Sequence, residues 1–149
     1  MRVFADLAEF AAAKGEHLGY SDWHEVTQEQ VNLFADATGD HQWIHVDIER
    51  AKAGPFGGPI AHGYLTLSLL SKFGPEIYQV GGLTMGINYG TNKVRFPHPV
   101  LVGSRIRAGA ELLDISEVKL GTQGVLTFTV EIENMPKPAC VAELVVVYA

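Results

Sequence analysis

Between Ile60 and Phe73 apolar side chains lie around nearly the whole circumference of a helix: Tyr64, Leu65, Leu67, Leu69, Leu70 and Phe73, with Gly74-Pro75 expected to end it. A helix apolar on most of its faces has to be wrapped, and the second half of the chain supplies the wrapper. Leu126, Phe128, Val130 and Ile132 alternate at period two with Val125, Thr127, Thr129 and Glu131. Ile106, Ala108, Ala110 and Leu112 alternate in the same way with Arg105, Arg107, Gly109 and Glu111. A third run over 139–148 is apolar on both faces at Val145–Val147, the pattern of a central or interface strand. A fourth strand is predicted over Met85–Phe96, closed by Pro97 and Pro99. The order, helices first and then strands joined by short turns, predicts an α+β fold with the helix laid against an antiparallel sheet. Such a sheet leaves an edge strand open, and pairing edges across a two-fold axis would close it, so a homodimer is expected.

The first half reads as helix and loop. Thr27 with Gln30 forms a capping box, and Val31, Phe34, Ala35 and Thr38 follow at helical spacing, so a helix is predicted over about 28–38 with Gly39 ending it. From Asp40 to Trp43 the chain is polar and aperiodic, and Trp43 and Ile44 are read as non-helical. Asp47 can cap a short helix through Ile48–Ala53, before the breaker-rich 54–59 segment Gly-Pro-Phe-Gly-Gly-Pro. No internal repeat, linker or low-complexity tract interrupts the chain, and its 149 residues fit one domain spanning 1–149.

Composition excludes several function classes. A hydrophobic share of 47% is too high for disorder, and no apolar run reaches the ~18–20 residues of a membrane span. Asp6 and Glu9 interrupt the apolar pattern of the N-terminus as a signal-peptide core would not tolerate, and the lone Cys140 forbids an intrachain disulfide; both point to the cytoplasm. A net charge of −6 argues against a nucleic-acid partner. Lys93, Arg95, Arg105 and Arg107 form the one basic concentration, either a solvated face of two strands or, as a set, a site for the phosphates of a nucleotide-bearing substrate.

Two titratable side chains, Asp40 and His45, stand five positions apart in a loop after a helix stop. A carboxylate beside an imidazole can hold one water for general acid–base work; equally, Asp40 can be a turn residue and His45 a partly buried histidine. His41 and His45 are spaced i, i+4 without the Glu of a zinc-protease helix, so no metal is expected. Cys140, inside an alternating strand, reads as packing. The 54–59 segment lacks the Gly-Lys-Ser/Thr ending of a phosphate loop, so no nucleotide cofactor follows. At Ile60-Ala61-His62-Gly63-Tyr64 the apolar helix begins, and its first amides are free to face a ligand. Gly63, without a Cβ, would let a carbonyl oxygen approach its N–H, an oxyanion-hole arrangement; alternatively His62 caps the helix and Gly63 permits tight packing.

The stretch Phe34-Ala-Asp-Ala-Thr38-Gly39-Asp40-His41-Gln42-Trp43-Ile44-His45, with Ala51 six residues on, resembles the hydratase signature of MaoC-like dehydratases. In that signature an aromatic precedes Ser/Thr-Gly-Asp and a His follows the Asp by five. The His62-Gly63 helix start is similar to the family's second landmark, and Asn92-Lys93-Val94-Arg95-Phe96-Pro97, with Pro99-Val100 and Gly103-Ser104, to the strand and turn that follow. The likeness runs from about residue 20 to the C-terminus and is nearest to the NodN-like, single-hot-dog members typical of actinobacteria. Where the family shows Asn-Pro, this chain has Gln42-Trp43, so the loop shape and the fit of substrate are expected to differ.

The resemblance implies a hot-dog fold and (R)-specific, reversible hydration of a trans-2-enoyl-CoA to the (R)-3-hydroxyacyl-CoA in fatty acid metabolism, with no cofactor. Asp40 and His45 would hold the water and Gly63 N–H would stabilise the enolate. Substrate contacts are expected from Ile60, Ala61, His62, Asn88, Tyr89, Lys93 and Arg95. The acyl chain is expected along Tyr64, Leu65 and Leu69, the CoA phosphates toward Lys93, Arg95 or Arg105 near the dimer edge, with Trp43 and Phe56 near the mouth. Two other functions share such a fold. An acyl-CoA thioesterase generally carries an acid on the central helix, and 60–73 has none; a non-catalytic subunit would not need the Asp40/His45 pair.

Overall fold

The period-two runs of the second half become long antiparallel strands, and their apolar halves turn inward as one set. In the computed structural model, which describes residues 1–149, β1 (Arg2–Phe4), α1 (Leu7–Ala12), β2 (His17–Tyr20) and β3 (His24–Glu25) come first. Then follow α2 (Gln28–Thr38), α3 (Trp43–Val46), α4 (Ile48–Lys52), α5 (Gly63–Ser68) and α6 (Leu70–Ile77). The strands β4 (Tyr78–Val80), β5 (Gly86–Arg95), β6 (Arg105–Val118), β7 (Gly121–Ile132) and β8 (Cys140–Tyr148) complete the chain. The main sheet has the order β2-β6-β7-β8-β5, with β3 also paired to β6. It is antiparallel throughout; only the separate β1–β4 pair is parallel.

Ile106, Ala108, Ala110 and Leu112 on β6 and Leu126, Phe128, Val130 and Ile132 on β7 are all buried, as their alternation predicts. They close over Leu65, Leu69, Leu70, Phe73 and Ile77 of the helical segment in one apolar cluster. The α+β arrangement of a sheet wrapped on a central helix is therefore the observed one. Cys140 is buried in this cluster, and desolvation pushes its thiol up to about 11, which fits a packing residue.

The central helix departs from its sequence reading at both ends. It starts at Gly63, because Ile60 and Ala61 are held in extended bonds to Ile44 and to Val100 and Leu101. It does not stop at Gly74-Pro75, which lie inside α6. Proline lacks an N–H and removes one helix bond without ending the helix here, because Phe73 and Ile77 on either side are anchored in the core. The two helical pieces meet at Leu69, whose own backbone stays helical at φ −65° and ψ −14°.

The strand β5 forms one edge of the sheet, and of its ten residues only Val94 is even partly buried. Ile87 and Tyr89 are 45% and 65% exposed. No helix is long and apolar enough to cross a membrane.

Candidate active site

Three buried or half-exposed polar side chains converge where α2, α3 and α5 meet. Thr27 caps α2 by accepting the Gln30 amide, and Gly39, at φ 79°, ends it in the left-handed conformation that glycine adopts freely. The chain then turns at Asp40, whose Oδ1 accepts the Gln42 amide at 3.3 Å and whose own amide donates to Thr38 Oγ1. The stretch read as non-helical instead contains α3: one turn, Trp43–Val46, which carries His45 inward. Gln28, the first residue of α2, locks that placement by donating from Nε2 to the His45 carbonyl at 2.8 Å.

His45 is 6% exposed, and its Nδ1 lies 2.6 Å from the Ile60 carbonyl oxygen. A carbonyl only accepts, so Nδ1 carries the hydrogen and Nε2 presents a bare lone pair. Burial is the main influence on this imidazole and lowers its pKa; the Ile60 bond opposes that, the neighbouring His62 lowers it further, and Asp40 raises it. His45 is thus a neutral proton acceptor at pH 7. Asp40, 52% exposed on its side chain, supplies a carboxylate beside it.

His62 is the third member, 3% exposed, and it precedes α5 as its cap position without a capping bond. The ligand atoms of Asp40, His45 and His62 all fall within 4.8 Å of one another. That spacing is one a metal ion could use, and within it the two imidazoles stack at 3.8 Å and 22°. The amides of Gly63 and Tyr64 take part in none of the backbone bonds, and a Cβ at Gly63 would press on the Phe96 ring at 3.2 Å. Both amides are therefore free at the start of α5, with the Phe96 ring packed against Gly63.

The other residues expected at the site sort by exposure. Ile60 and Ala61, 8% and 6% exposed, face the core; Ile60 acts through its carbonyl on His45. Asn88 and Tyr89, with Lys93 and Arg95, lie on the open β5. Lys93 makes no ion pair, and Arg95 donates only to the Val94 carbonyl. Arg105 does not join them: it is on β6, three strands away, and pairs with Glu133 at 3.1 Å, as Arg107 pairs with Glu131 at 2.9 Å. Arg105 near the edge is therefore a correction to the sequence reading. Trp43 also turns away from any mouth, stacking under Arg50 at 4.3 Å and against Gly54. Gln28 and the Thr38 hydroxyl also hold the site, and the sequence does not mark them, since a polar residue on a helix face carries no signal of its distant partner.

The apolar chain site shifts as well. Leu65 and Leu69 are core residues and Tyr64 is 71% exposed, so they form no groove. Two hollows of about 470 and 280 Å³ lie instead between α5–α6 and the β5–β8 pair, sharing Leu70, Ser71, Asn88 and Leu144. The smaller begins at Leu67, one turn or about 6 Å along the helix from Gly63. The larger ends at Tyr78 and Tyr148, whose hydroxyls bond at 2.7 Å. Glu76, which the longer helix brings in, is engaged by Lys72 and by the Asp22 amide at 3.2 Å. It is not the free acid of a hydrolase.

A sheet wrapped on a central helix, with a carboxylate and a neutral imidazole at the helix start, defines the MaoC-like hot-dog class. The family model described as a MaoC like domain matches residues 9–135, and the chain belongs to that family. It is 58% identical to 3-hydroxyacyl-thioester dehydratase Z of Mycobacterium tuberculosis over 99% of each chain. It is 47% identical to nodulation protein N of Rhizobium leguminosarum bv. viciae, over 95% of this chain and 89% of that one. The R-hydratase PhaJ1 of Pseudomonas aeruginosa superposes with a TM-score of 0.74 at 22% identity, over 91% of this chain and 81% of that one.

Proposed function

We propose that the protein is an (R)-specific hydro-lyase that interconverts trans-2-enoyl-CoA and (R)-3-hydroxyacyl-CoA in fatty acid metabolism, with Asp40 and His45 as its catalytic pair. The observation that carries this reading is the bare Nε2 of a neutral, buried His45 beside the Asp40 carboxylate. A water held between them loses a proton to Nε2 as its oxygen attacks C3. The thioester oxygen, gathering the enolate charge, is held by the free Gly63 N–H, a contact of the kind that contributes a few kcal/mol at the transition state. The proton returns to C2 on the same face, so the pair ends as it began and one water has been added. The carboxylate and imidazole act as one coupled unit in this cycle.

The acyl chain runs into the hollows between α5–α6 and β5, past Asn88, and the CoA phosphates meet the unpaired Lys93 and Arg95, with Tyr89 exposed between. Ile60, Ala61 and His62 frame the substrate through their backbone. The chain forms one domain over 1–149, acts in the cytoplasm, consistent with its free, buried Cys140, and pairs as a homodimer through the open edge of β5. The relatives named as dehydratases act on a 3-hydroxyacyl thioester, which supports the same chemistry here.

The test follows the enoyl-thioester absorbance of crotonyl-CoA with purified protein, alongside a thiol assay for free CoA. Loss of absorbance without CoA release is expected. CoA release would make the protein a thioesterase, and no change in either signal would make it a non-catalytic subunit.

A further inference from the structure

His62 is the most completely buried polar group at the site, and burial removes it from direct contact with a substrate. Its Nε2 lies 3.0 Å from the backbone carbonyl of Asp40 and 4.0 Å from that residue's Oδ2. Its ring stacks on His45 at 3.8 Å, and the Phe34 ring lies against it at 4.9 Å. Since the Asp40 carbonyl can only accept, Nε2 carries the hydrogen. Its Nδ1 is buried and meets no partner, so a hydrogen there would be desolvated without an acceptor.

We propose that His62 is the positioning residue of the dyad: its Nε2–H fixes the Asp40 main chain while its ring sets the plane of His45. Asp40 lies in the turn after α2 and His45 on α3, and they share no direct bond. His62 reaches both from the start of α5, the element that also carries the Gly63 amide. One side chain thereby ties the carboxylate, the imidazole and the oxyanion amide to a common frame. A displacement of about 1 Å between such groups can cost on the order of a hundredfold in rate. This inference rests on the hydratase reading.

Two measurements test it. Nitrogen-15 spectra of histidine-labelled native protein at pH 7 should show His62 with hydrogen on Nε2 and a bare Nδ1; hydrogen on Nδ1 would overturn the proposal. This arm needs no activity, so a protein that fails to hydrate crotonyl-CoA would end the hydratase reading without deciding the role of His62. In the kinetic arm, His62→Phe keeps a ring against His45 and removes the donor to Asp40, whereas His62→Gln keeps an amide donor. The Phe variant should lose about ten- to a hundredfold in kcat with KM within about threefold, and the Gln variant should recover part of the loss. Native kcat in a folded Phe variant, a loss confined to KM, or a Gln variant no better than Phe would overturn it. Should the Phe variant not fold, the spectra and the Gln variant still decide.

Discussion

His45 donates its Nδ1–H to the Ile60 carbonyl at 2.6 Å, and this bond determines which imidazole nitrogen can take a proton. The acceptor nitrogen works only while the ring is neutral. Burial first, with His62 adding to it, depresses the His45 pKa below 6.5 against the opposing pull of Ile60 and Asp40. Hydration should therefore hold its plateau at pH 7 and fall on the acid side with a midpoint below 6.5. Stability follows the same sign. An unfolded imidazole titrates near 6.5 and the folded one lower, so the unfolded state binds more protons in that window, and stability declines as pH falls through it. A pH–rate profile of kcat/KM is the measurement, and an acid limb centred above 6.5 would contradict the assignment.

Removing either member of the pair should separate chemistry from folding. Asp40→Asn leaves a half-exposed side chain of the same size, so its melting temperature should stay within a few degrees. His45→Asn sets an amide nitrogen where Nδ1 stood and preserves a donor to Ile60 while deleting the acceptor. Each should lose on the order of 10²–10⁴ in kcat toward crotonyl-CoA. Near-native turnover in both, measured by the decay of enoyl absorbance, would remove them from the mechanism.

How much of this was legible depended on whether a feature is local. The buried faces of β6 and β7 follow from alternation, because a strand side chain's direction is set by its neighbours. The Asp40 and His45 spacing, the Gly39 stop and the Thr27 cap are likewise readable from short windows, whereas Gln30 turns its side chain to His24 and leaves the capping box half made. Pro75 reads in the sequence as a helix end and lies inside α6, since whether a proline terminates or merely interrupts depends on how firmly Phe73 and Ile77 are packed. The role of α3 was hidden because Gln28, seventeen positions earlier, holds the His45 carbonyl. Long-range partners of that kind, Glu133 and Glu131, also neutralise Arg105 and Arg107.

Leu144 lines both hollows beside the central helix, so a larger side chain there should shorten the chain that fits. In Leu144→Trp, kcat/KM toward a twelve-carbon enoyl-CoA should drop by more than about tenfold, while crotonyl-CoA stays within about threefold. Equal loss on both substrates would mean that the acyl chain takes another route.

The edge strand β5 exposes an unpaired row of backbone groups together with Ile87 and Tyr89, a combination that a lone chain in water would normally blunt with charge or cover. Its neighbour Met85 is 54% exposed and Phe96, at the other end, 43%, so apolar surface is added at both ends of the strand. Two copies related by a two-fold axis would satisfy both edges at once and bring Lys93 and Arg95 of each chain close to the other's site. The native protein should sediment as a dimer at micromolar concentration. Lysines at two positions of the edge, in Ile87→Lys with Tyr89→Lys, would set like charges against each other in the paired state. They should shift the sedimentation coefficient toward the monomer without unfolding the β6–β7–β8 core, whose packing they do not touch. If the double variant remained dimeric, or if the native protein were monomeric, pairing through β5 would be wrong.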